Sequence, residues 1–569
     1  MGCGQPNADI RDKALSLGLH LCYVIWDTLP NRLPFRLLVV SLALSLTAAL
    51  SVSSASGVDG ADDPSGPPTL AERGRAAEVL TEAKALFAGG GQKSARRGSA
   101  EAKVERRDAT LVLRELALRA DDLATPEQRT TARRILARPT TTDDPTGGYE
   151  PKYETEAGTK CGARICVHWV EDHTIDSMQG DDVDGDVSTV PAWANTSLTV
   201  LENVYIKEVT DRQYRAPLSD GTRGGSVDKL DVYLADLGSS NLYGYCTSDQ
   251  PDRNTAQVVF AYCVIDQDFA RDQYETNTPG QNLQVTAAHE FFHAVQFAYD
   301  WQEDDWLMEG TAAWMEDEIY DSINDNLQYL GASQLQMPFN PLDHSSFDDP
   351  NYGVWIFWRF LSEWAGAGDA DDPTIVRQVW EGAAVDGAYS TLALRRTLLA
   401  RGTSFPVMYT LFGTWIRSAK SMFEEGPSYP NAPADFSLTL TQARPSTGNR
   451  TVTLDHMTHS FTRLTPGSTL TGTWRVTVSV NMPDTARGSV AQMIVHKRNG
   501  TRSVLGIPLN TSGNGSKVFG FTRTAIHYLD LDLVNTSARF QCWQDTYLSC
   551  QGSPLDDTLD TTFSARAIR

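Results

Sequence analysis

Positive charge is in short supply in this sequence. Lysine and arginine number 49 against 72 aspartates and glutamates, giving a formal charge of −23. A surface of that sign repels a phosphate backbone, which excludes nucleic acid as a partner. Cysteine is scarce as well, at 8 in 569 residues, and none falls into a C-x-x-C pair of the zinc-ribbon kind. The apolar run Leu37 to Val52 is shorter than the roughly 20 residues a membrane helix needs, so a stable span is not expected. Histidine, at 10 copies, is rare enough for its spacing to carry weight. Apolar residues, by contrast, make up 41% of the chain, with 13 Trp, 19 Tyr and 20 Phe, so a sizeable core can form and wholesale disorder is excluded. The length calls for more than one domain, and no internal repeat is visible.

Arg32-Leu-Pro-Phe-Arg36, the apolar run and the small residues Ser53-Ser54-Ala55 read together as a leader and secretory signal peptide over 1–55, cleaved after about Ala55. The expected location is therefore extracellular. Removing the leader removes Cys3 and Cys22 and leaves six cysteines. The simplest pairing is local: Cys161 with Cys166, Cys246 with Cys263 and Cys542 with Cys550, as disulfides in an oxidising compartment.

Four parts follow from the change of pattern along the chain. After the leader, residues 56–148 hold amphipathic helices over 70–87, 109–123 and 126–137, joined by a basic, Gly-containing tether and followed by a polar linker. This segment is either an inhibitory propeptide or a spacer. Residues 149–430 open with the strand-like ARICVHWV, KLDVYLADL and AQVVFAYCVID and continue into helices, including 354–365, 373–381 and 405–421. From 431 to 569, alternating Thr-, Val- and Ser-rich runs separated by turns predict an antiparallel β-sandwich. The fold class expected is α+β.

Chemistry concentrates at HEFFH, residues 289–293. On a helix, His289 and His293 share one face about 5–6 Å apart. Both ring nitrogens can reach one ion at about 2.0–2.1 Å. Glu290 lies one residue round the helix and can reach a water in an open coordination position. Two histidines satisfied by core hydrogen bonds are the bland alternative. A metzincin would need Gly at 296 and His at 299, where this chain has Gln296 and Tyr299. An aspartate-liganded site would want Asp at 314, where Trp314 stands. The run WLMEGTAAWMED instead offers Glu309, with small Ala312 and Ala313 letting its helix pack closely. A His2Glu set with one free position results, as in catalytic zinc sites.

His289-Glu290-x-x-His293 followed by Trp306-Leu-Met-Glu309-Gly310-x-Ala312 resembles the gluzincin metallopeptidases, over about residues 285–365. The resemblance implies a gluzincin-like catalytic domain of mixed sheet and active-site helices over 149–430. It implies Zn2+ held by His289, His293 and Glu309, with Glu290 as general base in hydrolysis of a protein or peptide substrate. The His293 to Glu309 gap is slightly shorter than in the thermolysin-like and aminopeptidase branches. No G-x-M-E-N-type segment is present to grip a free amino group, which favours endopeptidase over aminopeptidase cleavage. Family members often use a Tyr or His beyond the third ligand to stabilise the oxyanion; Tyr352 of NYGVW is the first choice and His344 the second. The rival reading is a cell-surface binding protein on the same fold that has lost activity.

Other groups remain open. Glu316 and Asp317 either orient a histidine ring or form a solvated helix face. Gly180 to Asp186 spaces carboxylates as calcium loops do, and either holds a structural Ca2+ or is an acidic turn that binds nothing. Arg359 and Glu363 read as an intrahelical pair, and His168 and His173 as ordinary packing or surface residues. Oligomeric state has no signature in the sequence.

Overall fold

The computed structural model describes residues 24–26, 68–87, 109–138, 156–170 and 192–569, apart from 226, 275, 345–349, 367–371, 386–387 and 545. The leader apart from 24–26, the basic tether, the polar linker, His173 and the acidic loop 180–186 lie outside the described residues. The protein is mixed α and β. Helices α1 (Leu70–Phe87), α2 (Ala109–Arg119) and α3 (Pro126–Ile135) come first. A capping box starts α3, with Thr125 and Gln128 satisfying each other's backbone N–H and Pro126 in the first turn. Val79, Leu80, Leu113 and Leu116 of this segment enter the same core as the strands and helices that follow.

A five-stranded sheet comes next: β1 (Glu156–Cys161), β2 (Ile165–Val170), β3 (Leu230–Ala235), β4 (Gly244–Thr247) and β5 (Tyr262–Asp266), in spatial order β1-β2-β3-β5-β4. The inner pairs β2/β3 and β3/β5 are parallel, and the outer pairs β1/β2 and β5/β4 antiparallel. Strands β3 and β5 are buried along their whole length, as the continuous apolar runs of covered parallel strands require. β4 forms one edge. Cys161–Cys166 closes the first hairpin and Cys246–Cys263 ties β4 to β5; with Cys542–Cys550, all of the expected local pairs form. Such bonds suit an oxidising compartment. Among the described residues no helix is long and apolar enough to cross a membrane.

The helical layer holds α4 (Ala192–Tyr205), α5 (Pro279–Gln296), α6 (Asp305–Tyr320), α7 (Pro350–Gly353), α8 (Trp355–Ala365), α9 (Thr374–Ala383), α10 (Thr391–Ala400) and α11 (Phe405–Arg417). Helix α5 carries HEFFH and is launched by a Thr278–Gln281 capping box with Pro279 at its first turn. Helix α6 carries Glu309. At Gly310 a Cβ would stand 2.2 Å from Val354 Cγ1 and 2.9 Å from Trp358 Nε1, so glycine is what lets α6 lie flush against α8. Arg359 of α8 does not pair chiefly with Glu363, as its spacing suggested. Its guanidinium binds Asp317 and lies 3.2 Å from Glu318, both on α6, against 4.0 Å to Glu363, because burial places α6 carboxylates nearer than its own helix neighbour.

Beyond α11, two sheets face each other. One runs β11-β10-β13-β8-β6, with Val24–Trp26 beside β11; the other runs β12-β9-β14-β7. Here β6 is Phe436–Leu440, β7 Arg450–Leu454, β8 Thr458–Pro466, β9 Arg475–Asn481, β10 Ser489–Lys497, β11 Arg502–Gly506, β12 Asn514–Gly520, β13 Ile526–Asn535 and β14 Leu559–Ile568. Leu464, Val476, Met493, Leu531 and Phe563 from both sheets share one core. The sandwich is not wholly antiparallel, since β6 and β8 run parallel. The intervening β7 lies in the opposite sheet, so two reversals return the chain in its original direction.

One face of the first sheet is covered by α11. Alternation in β13 sends Leu529, Leu531 and Leu533 into the sandwich, while Asp530 and Asp532 point under the helix. Arg417 and Arg463 meet Asp530, and His459 and Gln492 meet Asp532, so these buried charges are paired. A second pin joins the layers at His456, whose Nε2 is 2.8 Å from Asp343 and whose Nδ1 is 2.5 Å from Asp557. Burial works against its charge, but Asp343 and Asp557 outweigh that and hold the imidazole pKa up at about 10. A raised imidazole contributes stability that is complete below its unfolded value near 6.5 and fades as pH climbs through about 10. His456→Gln should therefore cost about 3 kcal/mol in urea unfolding at pH 6 and clearly less at pH 10; an equal loss at both would show that the pair adds no charge-dependent stability.

Candidate metal centre

Helices α5 and α6 bring His289, His293 and Glu309 together, with ligand atoms all within 4.8 Å of one another. His289 Nε2 is 3.2 Å from Glu309 Oε2, and His293 Nε2 is 3.3 Å from Glu309 Oε1. The outer nitrogens determine which way the lone pairs point. His289 Nδ1 lies 2.7 Å from Glu316 Oε1, a carboxylate that can only accept while ionised, so Nδ1 carries the hydrogen. His293 Nδ1 lies 2.8 Å from Gln296 Oε1. The amide of Gln296 is oriented by its own Nε2, which donates to Met308 O at 2.8 Å and Thr311 Oγ1 at 3.1 Å. Both Nε2 lone pairs therefore face one buried carboxylate. Such a set repels itself unless a cation or proton occupies its centre, and it fits a divalent ion of the N/O-ligated kind.

Burial opposes a charge on His289, yet hydrogen bonds to Glu309 and Glu316 hold its pKa well above 6.5. Burial also pushes Glu316 up to about 7, against the pull of His289. Glu316 is 4% exposed and Asp317 3%, so the reading of a solvated helix face is wrong for both: Glu316 orients His289, and Asp317 holds Arg359. Long-range packing of α8 buries that end of α6, which no local pattern announces.

Glu290 is 6% exposed and lines a cavity beside the triad. Its Oε2 is 3.4 Å from Thr110 Oγ1 of α2, and that hydroxyl accepts the β4 backbone N–H of Cys246 at 2.9 Å. With the hydroxyl's lone pair engaged by Cys246, its hydrogen is available to Glu290. On β4, a Cβ at Gly244 would stand 2.7 Å from Glu290 Cγ, so glycine there leaves the carboxylate its room. Arg114, one turn further along α2, is buried and binds the carbonyls of Trp301 and Glu303 and the side chain of Asp305, holding the connection between α5 and α6.

Tyr352 is placed in the cavity, its ring stacked on His289 at 5.6 Å. His344 does not line the cavity, and its neighbour Asp343 is tied into the junction with the sandwich. His168 is buried, with Asp231 at 2.9 Å and Thr159 at 2.9 Å, a packed and hydrogen-bonded core residue. Sequence reasoning missed Gln296, Thr110 and Gly244. Gln296 counted only as a departure from another motif, though one helical turn after His293 it is well placed to accept from that ring. Thr110 lies 180 residues from Glu290, with no local signal.

No protein-family model matches the chain, and no curated protein matches it. Replacing Gln296 with Leu leaves the His293 Nδ1 hydrogen without its acceptor. Affinity for a divalent ion should then fall about 10- to 100-fold in competition with a chromogenic chelator; unchanged affinity would remove Gln296 from the centre.

Proposed function

We propose that the protein is a secreted zinc-dependent metallopeptidase of gluzincin type, favouring internal peptide bonds. One observation carries the reading: two imidazoles, each oriented by a buried acceptor, turn their Nε2 nitrogens on Glu309, with an additional carboxylate, Glu290, alongside. A structural metal site would be closed by four protein ligands, and at this centre three, His289, His293 and Glu309, converge among the described residues.

Zinc held by these residues would supply Lewis acidity and bring the pKa of a water toward about 7. Glu290 is the general base: it takes the proton of the attacking water and delivers it to the leaving amine. Thr110 fixes which way that carboxylate faces. Tyr352, stacked on His289, is the donor assigned to the developing oxyanion, the kind of contact whose loss costs about 10²–10³ in rate. β4 lies at the edge of its sheet beside Glu290, with the outward N–H of Cys246 taken by Thr110. Secretion accords with the leader pattern and the disulfides.

The test is Glu290→Gln. Zinc content by mass spectrometry should stay at the wild-type level, while hydrolysis of casein or a quenched peptide library drops at least about 10³-fold. Unchanged hydrolysis in that variant would refute the assigned base, and a wild-type protein that takes up no zinc would refute the whole reading.

A further inference from the structure

The cavity beside the triad has a one-sided chemistry. Glu290, Glu316 and Asp325 line it together with Tyr243, Tyr329 and Tyr352, and the described lining includes no lysine or arginine. Glu316 is buried, and its Oε2 has no hydrogen-bond partner among the described residues although Oε1 is engaged by His289. Asp325 is held by neutral amides: Asn277 Nδ2 donates to Oδ1 at 2.5 Å and Gln328 Nε2 to Oδ2 at 2.6 Å. These bonds fix the carboxylate. Tyr329 stacks on Tyr352 at 4.8 Å and Tyr352 on His289 at 5.6 Å, so a row of aromatic faces leads away from the triad.

The ring faces make this more than an acidic patch. Glu290, Glu316 and Asp325 present carboxylates to a cavity walled by Tyr243, Tyr329 and Tyr352, where a cation gains both from the carboxylates and from the ring faces. An anionic side chain there would meet like charge in a partly dry site.

We infer that this cavity is a subsite for a cationic side chain, with Asp325 recognising the charge and Tyr329 and Tyr352 forming its walls, so that the protein cuts peptides beside arginine or lysine. The inference rests on the peptidase reading and names the substrate class of the same site. Asp325 sits outside the triad and acts on specificity rather than on the reacting atoms.

The test compares peptides that are identical except for arginine against its uncharged isostere citrulline at each position flanking the cut. At one position the zinc-loaded protein should favour arginine by roughly 10- to 100-fold in kcat/KM. Asp325→Asn should bring that ratio close to one, and Asp325→Lys should shift preference to glutamate at the same position. If citrulline peptides are cut as well as arginine peptides, the subsite is refuted while the peptidase reading stands. If no peptide is cut, the peptidase reading fails, and binding of the same two peptides to the zinc-loaded protein, followed by tryptophan fluorescence, decides the subsite. Tighter binding of arginine upholds it; equal binding overturns it.

Discussion

Everything at the centre depends on two ring orientations. An imidazole offers a lone pair to an ion only if its other nitrogen gives its hydrogen elsewhere. His289 gives it to Glu316 and His293 to Gln296. Gln296 is locked by Met308 and Thr311, and Thr311 in turn accepts from Trp380 Nε1 at 3.1 Å. The chain of contacts thus runs from α5 through α6 to α9. It explains why so much aromatic bulk surrounds a small polar centre. The Trp306, Trp314, Trp355, Trp358 and Trp380 side chains are fully buried around these helices and exclude water from the outer hydrogen bonds.

The segments flanking the sheet and helices contribute to the same constraint. Helix α2 reaches the site with two residues, Thr110 at Glu290 and Arg114 at the α5–α6 connection. Arg138, just past α3, is buried against Asp220 and Asp231 and lies 3.1 Å from Asp249. Stripping such a cation would leave buried carboxylates uncompensated, a loss of several kcal/mol. The N-terminal helices are therefore bound in by charge as well as by apolar packing. At the other end, α11 and the Asp343–His456–Asp557 contact couple the helical layer to the sandwich, so the layers share one set of buried polar contacts.

What the sequence revealed followed the range of each interaction. The α5 helix was legible because its i, i+4 histidines are local. Glu309 was legible because small Ala312 and Ala313 beside it implied close packing; the approach of Gly310 to Val354 had no such signal. Glu316 was ambiguous: an acidic run at a helix end reads as solvated, and only α8 and its Arg359 make that end an interior. The L-D-L-D-L alternation of β13 identified a strand, but not that its polar face would lie under α11. Thr110 and Gly244 were invisible, since each matters through a contact made only after folding. The parallel β6/β8 pair was hidden for a similar reason, because its direction depends on where β7 goes.

The central claim concerns coordination, and X-ray absorption at the zinc edge of the purified protein reads it directly. The account predicts a first shell of nitrogen and oxygen alone, at about 2.0–2.2 Å, with the outer-ring scattering of two imidazoles. Replacing Glu309 with Ala should remove an oxygen scatterer and leave both imidazoles in place. Sulfur in the shell, or a spectrum without imidazole scattering, would contradict it.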